Sequence, residues 1–254
     1  MNLPVYVISL ARAADRRESI TALLNADGIE YELVDAVDGR QLDLNACNPP
    51  VNPDKCWKRY GVVMPAGAVG CALSHINIWR RMIAEQTEYA VVLEDDARWQ
   101  PDFWEIANKL PGIKWYWDAV LLCGVTTGRY KQTVCRLSDS RELVRYHRLG
   151  RRTTSYIISV SGAKKLLQQI REIDAPIDIM WKDHWRSDMY FYEVAPPLSD
   201  HSYSPPTIDY PETRPELNPL QKIRYQFWRN YRSYKRRRYH LTHPRKLREA
   251  VGEG

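Results

Sequence analysis

The 254-residue chain contains no run of eighteen or more apolar residues, which excludes a membrane-spanning helix. The first strand-like segment, Pro4-Val5-Tyr6-Val7-Ile8-Ser9-Leu10, opens so close to Met1 that no signal peptide or membrane anchor fits ahead of it. Cysteine is scarce: Cys47, Cys56, Cys71, Cys123 and Cys135 are odd in number and lack C-x-x-C spacing, which argues for free thiols and a cytoplasmic chain rather than a disulfide framework. The glycines at 67 and 70 are followed by no Gly-Lys-Ser or Gly-Lys-Thr, so they do not form a phosphate-binding P-loop, and no internal repeat is visible. Between Gln221 and Arg248 there is no acidic residue at all, against eleven Lys or Arg. The formal charge of +6 is therefore local, because residues 1–220 carry 26 basic and 29 acidic residues.

Alternation of strand and helix signals organises the body. After the opening strand, Asp15-Arg16-Arg17-Glu18 has the spacing of a helix start capped by Asp15, and Ile20, Leu23 and Leu24 supply an apolar face. Gly28 ends that helix, and Ile29 to Val34 alternates as a second strand that stops at Asp35-Ala36-Val37-Asp38-Gly39. Residues 42–64, with Pro49, Pro50 and Pro53, show no period and read as a surface excursion. Val69, Ala72, Leu73, Ile76, Trp79 and Ile83 then recur at helical spacing. Apolar runs at 90–93, 117–122 and 155–160 predict strands, and Ala163, Leu166, Leu167 and Ile170 a helix capped by Ser161. The expected fold is α/β, a Rossmann-like, mostly parallel sheet flanked by helices. Residues 195–219, rich in proline, read as a hinge before the basic tail.

The apolar run Ala90-Val91-Val92-Leu93 ends on Glu94-Asp95-Asp96, which delivers three carboxylates to the carboxyl end of a strand, where open α/β sheets bind ligands. Hard oxygen donors of this kind suit Mg²⁺ or Mn²⁺ shared with substrate phosphates. A nucleotide-sugar or nucleotide-triphosphate enzyme follows.

Four blocks in order resemble glycosyltransferase family 25, the lipooligosaccharide galactosyltransferase family. They are residues 7–12 with Asp15-Arg16-Arg17; Asp35-Ala36-Val37-Asp38-Gly39; Gly67-Ala68-Val69-Gly70-Cys71-Ala72-Leu73-Ser74-His75 running on to Glu94-Asp95-Asp96; and Thr153-Thr154-Ser155-Tyr156-Ile157-Ile158-Ser159 with Gly162-Ala163 and Pro176-Ile177-Asp178. Ser155 stands where the family more often has Ala. The resemblance implies a GT-A type domain over residues 1–215; the charge and spacing of the remainder predict a basic amphipathic C-terminal helical tail over 216–254. It further implies a UDP-sugar donor, Mn²⁺ (or Mg²⁺), and inverting β-galactosyl transfer onto a lipopolysaccharide or lipooligosaccharide core. Animal collagen galactosyltransferases share the family, but without a targeting segment the bacterial branch is the expected one.

Roles follow from the chemistry of such a transfer. Asp96 is the expected metal ligand, with Glu94 and Asp95 holding ribose, sugar hydroxyls or metal-bound water. His201, beside the hinge, is a candidate second ligand. Asp178, matching the family's Pro-x-Asp, is the candidate base, with Asp183 and Asp188 near it in the chain. Arg12, Asp15, Asp35 and Asp38 are candidate donor contacts, Gly39 permitting a tight turn. His75 faces either the donor or the core. Trp99, Trp104, Trp181 and Trp185 are candidates to flank an acceptor sugar.

In the tail, Leu220, Ile223, Phe227, Tyr231 and Tyr234 share one helical face among basic residues, a pattern suited to an anionic membrane. The expected setting is therefore peripheral, on the inner face of the cytoplasmic membrane, with a lipid-linked oligosaccharide acceptor and no nucleic-acid partner. Transfer of another UDP-sugar such as glucose, or a non-catalytic glycan- or nucleotide-sugar-binding role, is the alternative. The intact acidic triplet speaks against the latter.

Overall fold

The computed structural model describes residues 3–60, 64–124, 131–146, 150, 152–181, 183–201 and 218–251, without the side chains of 58–60 and 243–251. The strands are β1 Val5–Ser9, β2 Glu32–Asp35, β3 Tyr89–Glu94, β4 Ala97–Trp99, β5 Ala119–Leu121, β6 Lys131–Arg136, β7 Glu142–Tyr146, β8 Ser155–Ser159, β9 Phe191–Ala195 and β10 Ser199–His201. The helices are α1 Ala14–Ala26, α2 Pro53–Tyr60, α3 Ala66–Ala84, α4 Phe103–Lys109, α5 Val160–Gln169, α6 Ile177–Trp181 and α7 Pro219–Val251.

Eight strands form one sheet in the order β2-β1-β3-β8-β5-β9-β7-β6. The pairings set β1, β2, β3, β5, β6 and β9 in one direction and β7 and β8 in the other, so the expected α/β sheet is mostly parallel in direction. Each central strand is apolar on both faces, as a sheet covered on both sides requires. Tyr6 and Ile8 of β1 face α3 and α5 with Trp79, Tyr156 and Leu166, whereas Val5 and Val7 face Ile20, Leu24 and Phe103 from α1 and α4.

Several boundaries differ from the sequence reading for local reasons. Asp15 lies within the first turn of α1 and is not its cap; Ala13 precedes the helix with no side-chain bond to it. Gly28 does close α1, in the left-handed region at φ +65° that its missing Cβ permits. Ile29 N–H then bonds back to Leu24 O at 3.0 Å, which delays β2 until Glu32. The excursion over 42–64 contains α2, because Asn52 Oδ1 accepts from Lys55 N–H at 2.9 Å and Pro53 occupies the first helical position. The cap of α5 is Ser159, whose Oγ accepts from Gly162 N–H at 3.0 Å; Ser161 instead bonds Asp118. A Cβ on Gly162 would strike the Asp118 carbonyl, which explains the glycine of the Gly162-Ala163 pair.

The basic tail is α7, and no helix of the described residues is long and apolar enough to cross a membrane. Its middle is fixed to the body. Arg232 donates to Asp183 Oδ1 through Nε and Nη2 at 3.1 and 2.8 Å, and Tyr239 Oη donates to Met189 O at 2.5 Å. Another face leaves Leu220, Ile223, Phe227, Tyr231, Tyr234 and Leu241 exposed. The expected division at 215/216 lies outside the described residues, as does most of the proline-rich hinge.

Candidate functional site

Register brings the informative residues together. Ser9 pairs with Asp35 across β1 and β2, and Ile8 with Glu94 across β1 and β3, so three parallel strands end side by side. Their exit loops and the start of α3 enclose a cavity of about 290 Å³, lined by Arg12, Arg16, Asp38, Arg40, Gly67, Cys71, Ser74, His75, Glu94 and Asp95 among others.

Two glycines allow this wall to form. A Cβ on Gly39 would run into the Ala66 carbonyl, and one on Gly70 into that of Val37, so the 37–39 loop and the first turns of α3 approach at backbone distance. Gly39 therefore serves close approach rather than a tight turn. Ser74 staples the same contact, accepting from Val37 N–H at 2.9 Å and donating to Gly70 O at 2.8 Å. The result places Ala66 and Gly67, the first residues of α3, on the cavity wall.

The acidic triplet divides its labour. Asp95 is buried and accepts from Ser9 Oγ at 2.7 Å and from Arg16 Nη1 at 3.1 Å, which holds the Arg16 guanidinium on the cavity wall. Glu94 Oε1 accepts from Thr153 Oγ1 at 2.5 Å and lies 3.4 Å from His75 Nε2. Burial opposes its ionisation, but the His75 contact, aided by Thr153 and Arg16, outweighs that and keeps its pKa below the ordinary value. Asp96 is the reverse case: burial, then the charges of Glu94 and Asp95, push it up to about 6, with Arg16 and His201 partly offsetting them. Its Oδ1 is buried with no hydrogen-bond partner.

His201 reaches this point by a short antiparallel pairing in which His201 stands opposite Ala97, the residue after Asp96. Asp200 Oδ1 lies 2.8 Å from His201 Nδ1, and Arg152, at φ +92°, donates to the same oxygen at 2.5 Å. An orphaned buried carboxylate oxygen with an imidazole beside it fits a divalent cation, whose charge would relieve the desolvated anion.

Asp178 opens α6, and its charge acts on the Cys71 thiol together with those of Glu94 and Asp96; desolvation and these three carboxylates push that thiol well up. Asp178 thus belongs to the same neighbourhood. Its rival Asp183 is committed to Arg232 of the tail helix. Arg12 and Asp38 pair across the cavity mouth at 2.7 Å, and Asp38 also accepts from Arg40 N–H at 3.0 Å. These bonds hold its carboxyl below the usual range.

Asp15 and Asp35 are not brought to the cavity: both are exposed, and Asp35 pairs with Arg17. The tryptophan candidates are mostly structural. Trp99 and Trp104 both donate to Asp27 Oδ2, at 2.7 and 3.1 Å, and Trp181 is buried against Trp79, Tyr156 and Phe191. Sequence reasoning missed Arg16, Arg40 and Thr153 as site residues.

The model of glycosyltransferase family 25 (LPS biosynthesis protein) matches residues 2–181. The chain belongs to this family. A glycosyltransferase 25 family member of Aedes aegypti is 32% identical over 71% of the chain and 31% of its own length. The human inactive glycosyltransferase 25 family member 3 is 31% identical over 77% of the chain and 36% of its length. Procollagen galactosyltransferase 1 of Danio rerio is 27% identical over 71% and 32%. The chain thus spans about a third of the length of the curated relatives it matches.

Proposed function

We propose that the chain is an inverting, metal-dependent GT-A type glycosyltransferase that moves galactose from UDP-galactose to the sugar of a lipooligosaccharide or lipopolysaccharide core. The observation that carries this is the strand-end cavity, where Arg12, Arg16 and Arg40 face Glu94 and Asp95 beside the orphaned Asp96 oxygen. Guanidinium groups and a helix start suit a diphosphate, and the carboxylates suit the cation that accompanies it. The family's printed description supports the lipopolysaccharide acceptor, and the galactosyltransferases among the relatives support the donor.

Asp96 and His201 would hold Mn²⁺ (or Mg²⁺), which when bound supplies positive charge to the departing diphosphate. Arg12 and Arg16 would orient the phosphates, Asp38 and Glu94 the ribose or sugar hydroxyls, and Asp178 would take the proton of the acceptor hydroxyl as it attacks the anomeric carbon. Asp178→Asn should lower kcat by about 10²–10⁴ while leaving donor Kd nearly unchanged; an undiminished kcat would remove Asp178 from that role. The reading as a whole is tested by UDP release from several UDP-sugars with Mn²⁺, with and without core oligosaccharide. Acceptor-stimulated release from UDP-galactose, abolished by chelation, is expected; no turnover with any donor would reject transfer, and preference for UDP-glucose would reassign the sugar.

The tail helix supplies the setting. Leu220, Phe227, Tyr234 and Leu241 recur every seven residues and, with Ile223 and Tyr231, form an exposed apolar stripe bordered by Arg224 and Arg237 and interrupted by Arg238. Two such helices would set these cations against each other, with no acid between Gln221 and Arg248 to offset them. An anionic bilayer surface at the inner face of the cytoplasmic membrane is the occupant this charge favours. Phe227→Glu with Tyr234→Glu should weaken binding to vesicles containing phosphatidylserine at least tenfold without changing the melting transition, since both side chains are exposed. Equal vesicle binding by parent and variant, or self-association of the parent in its place, would reject the membrane role.

A further inference from the structure

The inner wall of the cavity carries a second donor set of different chemistry. Cys71 and His75 stand four residues apart on α3, hence on one face, and Glu94 meets them from the end of β3. One ligand atom from each, a thiol sulfur, an imidazole nitrogen and a carboxylate oxygen, all lie within 4.8 Å of one another.

His75 is the telling member. It is wholly buried, its Nδ1 lies 2.9 Å from the Tyr156 hydroxyl, and its Nε2 has no hydrogen-bond partner although it points at Glu94 Oε1 from 3.4 Å. Tyr156 Oη also accepts from Trp79 Nε1 at 3.1 Å, so a buried aromatic pair fixes the ring's orientation. In the tautomer that metal binding at Nε2 requires, Nδ1 carries the ring proton toward Tyr156 Oη, and a cation would sit between the Nε2 lone pair and the carboxylate it faces. Two ligands bound at about 2.0–2.1 Å to one tetrahedral ion stand roughly 3.3 Å apart, close to the spacing already present. Metal-bound histidines commonly give their other ring N–H to an oxygen, which is the part Tyr156 would play, and Thr153 Oγ1, donating to the same Glu94 Oε1 that faces His75, fixes the carboxylate.

We propose that Cys71, His75 and Glu94 form a binding site for a thiophilic divalent cation of the Zn²⁺ class, its fourth position open to the cavity. Thiolate, imidazole and carboxylate together select Zn²⁺ over Mg²⁺ or Mn²⁺. The Cys71 thiol loses its proton to solvent as the sulfur bonds the metal. The site is separate from the Asp96–His201 pair and stands whether or not the chain transfers a sugar.

Cobalt(II) titration of the full chain reads it directly. Co²⁺ should bind with the thiolate-to-metal charge-transfer band and intense visible bands of a tetrahedral site, and Zn²⁺ at one equivalent should bleach them. Cys71→Ser should abolish the charge-transfer band, and Tyr156→Phe, which keeps the ring packing, should weaken Co²⁺ binding about tenfold. Asp96→Asn should leave the band in place. Co²⁺ binding without that band, or a band that survives in Cys71→Ser and so comes from another cysteine, would overturn the proposal.

Discussion

Asp96→Asn is expected to remove metal-dependent transfer by about a thousandfold and, in the metal-free protein at neutral pH, to raise the melting temperature. The first effect follows from loss of an anionic ligand. The second follows from the carboxyl's displaced equilibrium. Asp96 is pushed up to about 6 from an ordinary 3.8, so the folded state binds this proton more tightly than the unfolded chain. That favourable linkage is fully present below the unfolded value and is lost as pH rises through about 6. Above it the ionised group destabilises the metal-free fold by about 3 kcal/mol on the scale of 1.36 kcal/mol per pH unit. The neutral amide avoids this cost, a gain of roughly 10 °C near pH 7.5 that disappears near pH 4. Calorimetry at the two pH values checks it. A variant that melts no higher than the parent at pH 7.5 would mean the carboxylate is not desolvated, and retained transfer after the substitution would remove Asp96 from the ligand role.

Gly39→Ala is expected to be the most destabilising single-methyl change in the site region. Its Cβ would meet the Ala66 carbonyl and the Gly67 nitrogen, which are backbone atoms at the start of α3 and cannot swing aside. Overpacking against backbone costs about 3 kcal/mol, or roughly 10 °C in a domain of this size, and should displace Asp38 and Arg40 so that donor affinity falls as well. Gly112→Ala is the matched comparison. Nothing lies within 4 Å of its added Cβ and its φ is ordinary, so a change within about 0.5 kcal/mol is expected. Equal melting temperatures for the two variants would show that the loop and α3 are not locked together.

Features carried by local pattern were readable before the structure. The doubly buried strands β1, β3 and β8 stand out as continuous apolar runs, α3 as a long periodic stripe, and the acidic triplet as charge ending a buried strand. What escaped depends on partners far away in sequence. Arg16 becomes a cavity residue because Asp95, 79 positions later, fixes its guanidinium, and no local pattern records that. His201 was singled out, yet the means of its arrival, a three-residue strand pairing with an equally short one, is too brief to leave a period. The hairpin β6–β7 was missed because its outer strand, half exposed, has little apolar content to alternate. Asp15 misled because an acid just before a helical stripe serves the helix dipole as readily from inside the first turn as from the cap.

The attachment of α7 has a geometric consequence. At 1.5 Å per residue its 33 residues make a rod about 50 Å long, clamped to the body near Asp183 and Met189 and apolar along another side. A protein resting on a bilayer along such a keel could turn about the membrane normal but could not roll. The cavity mouth would then sweep a plane at one height above the lipid, and acceptors would be sorted by how far their terminal sugar stands from the membrane before any contact in the cavity distinguished them.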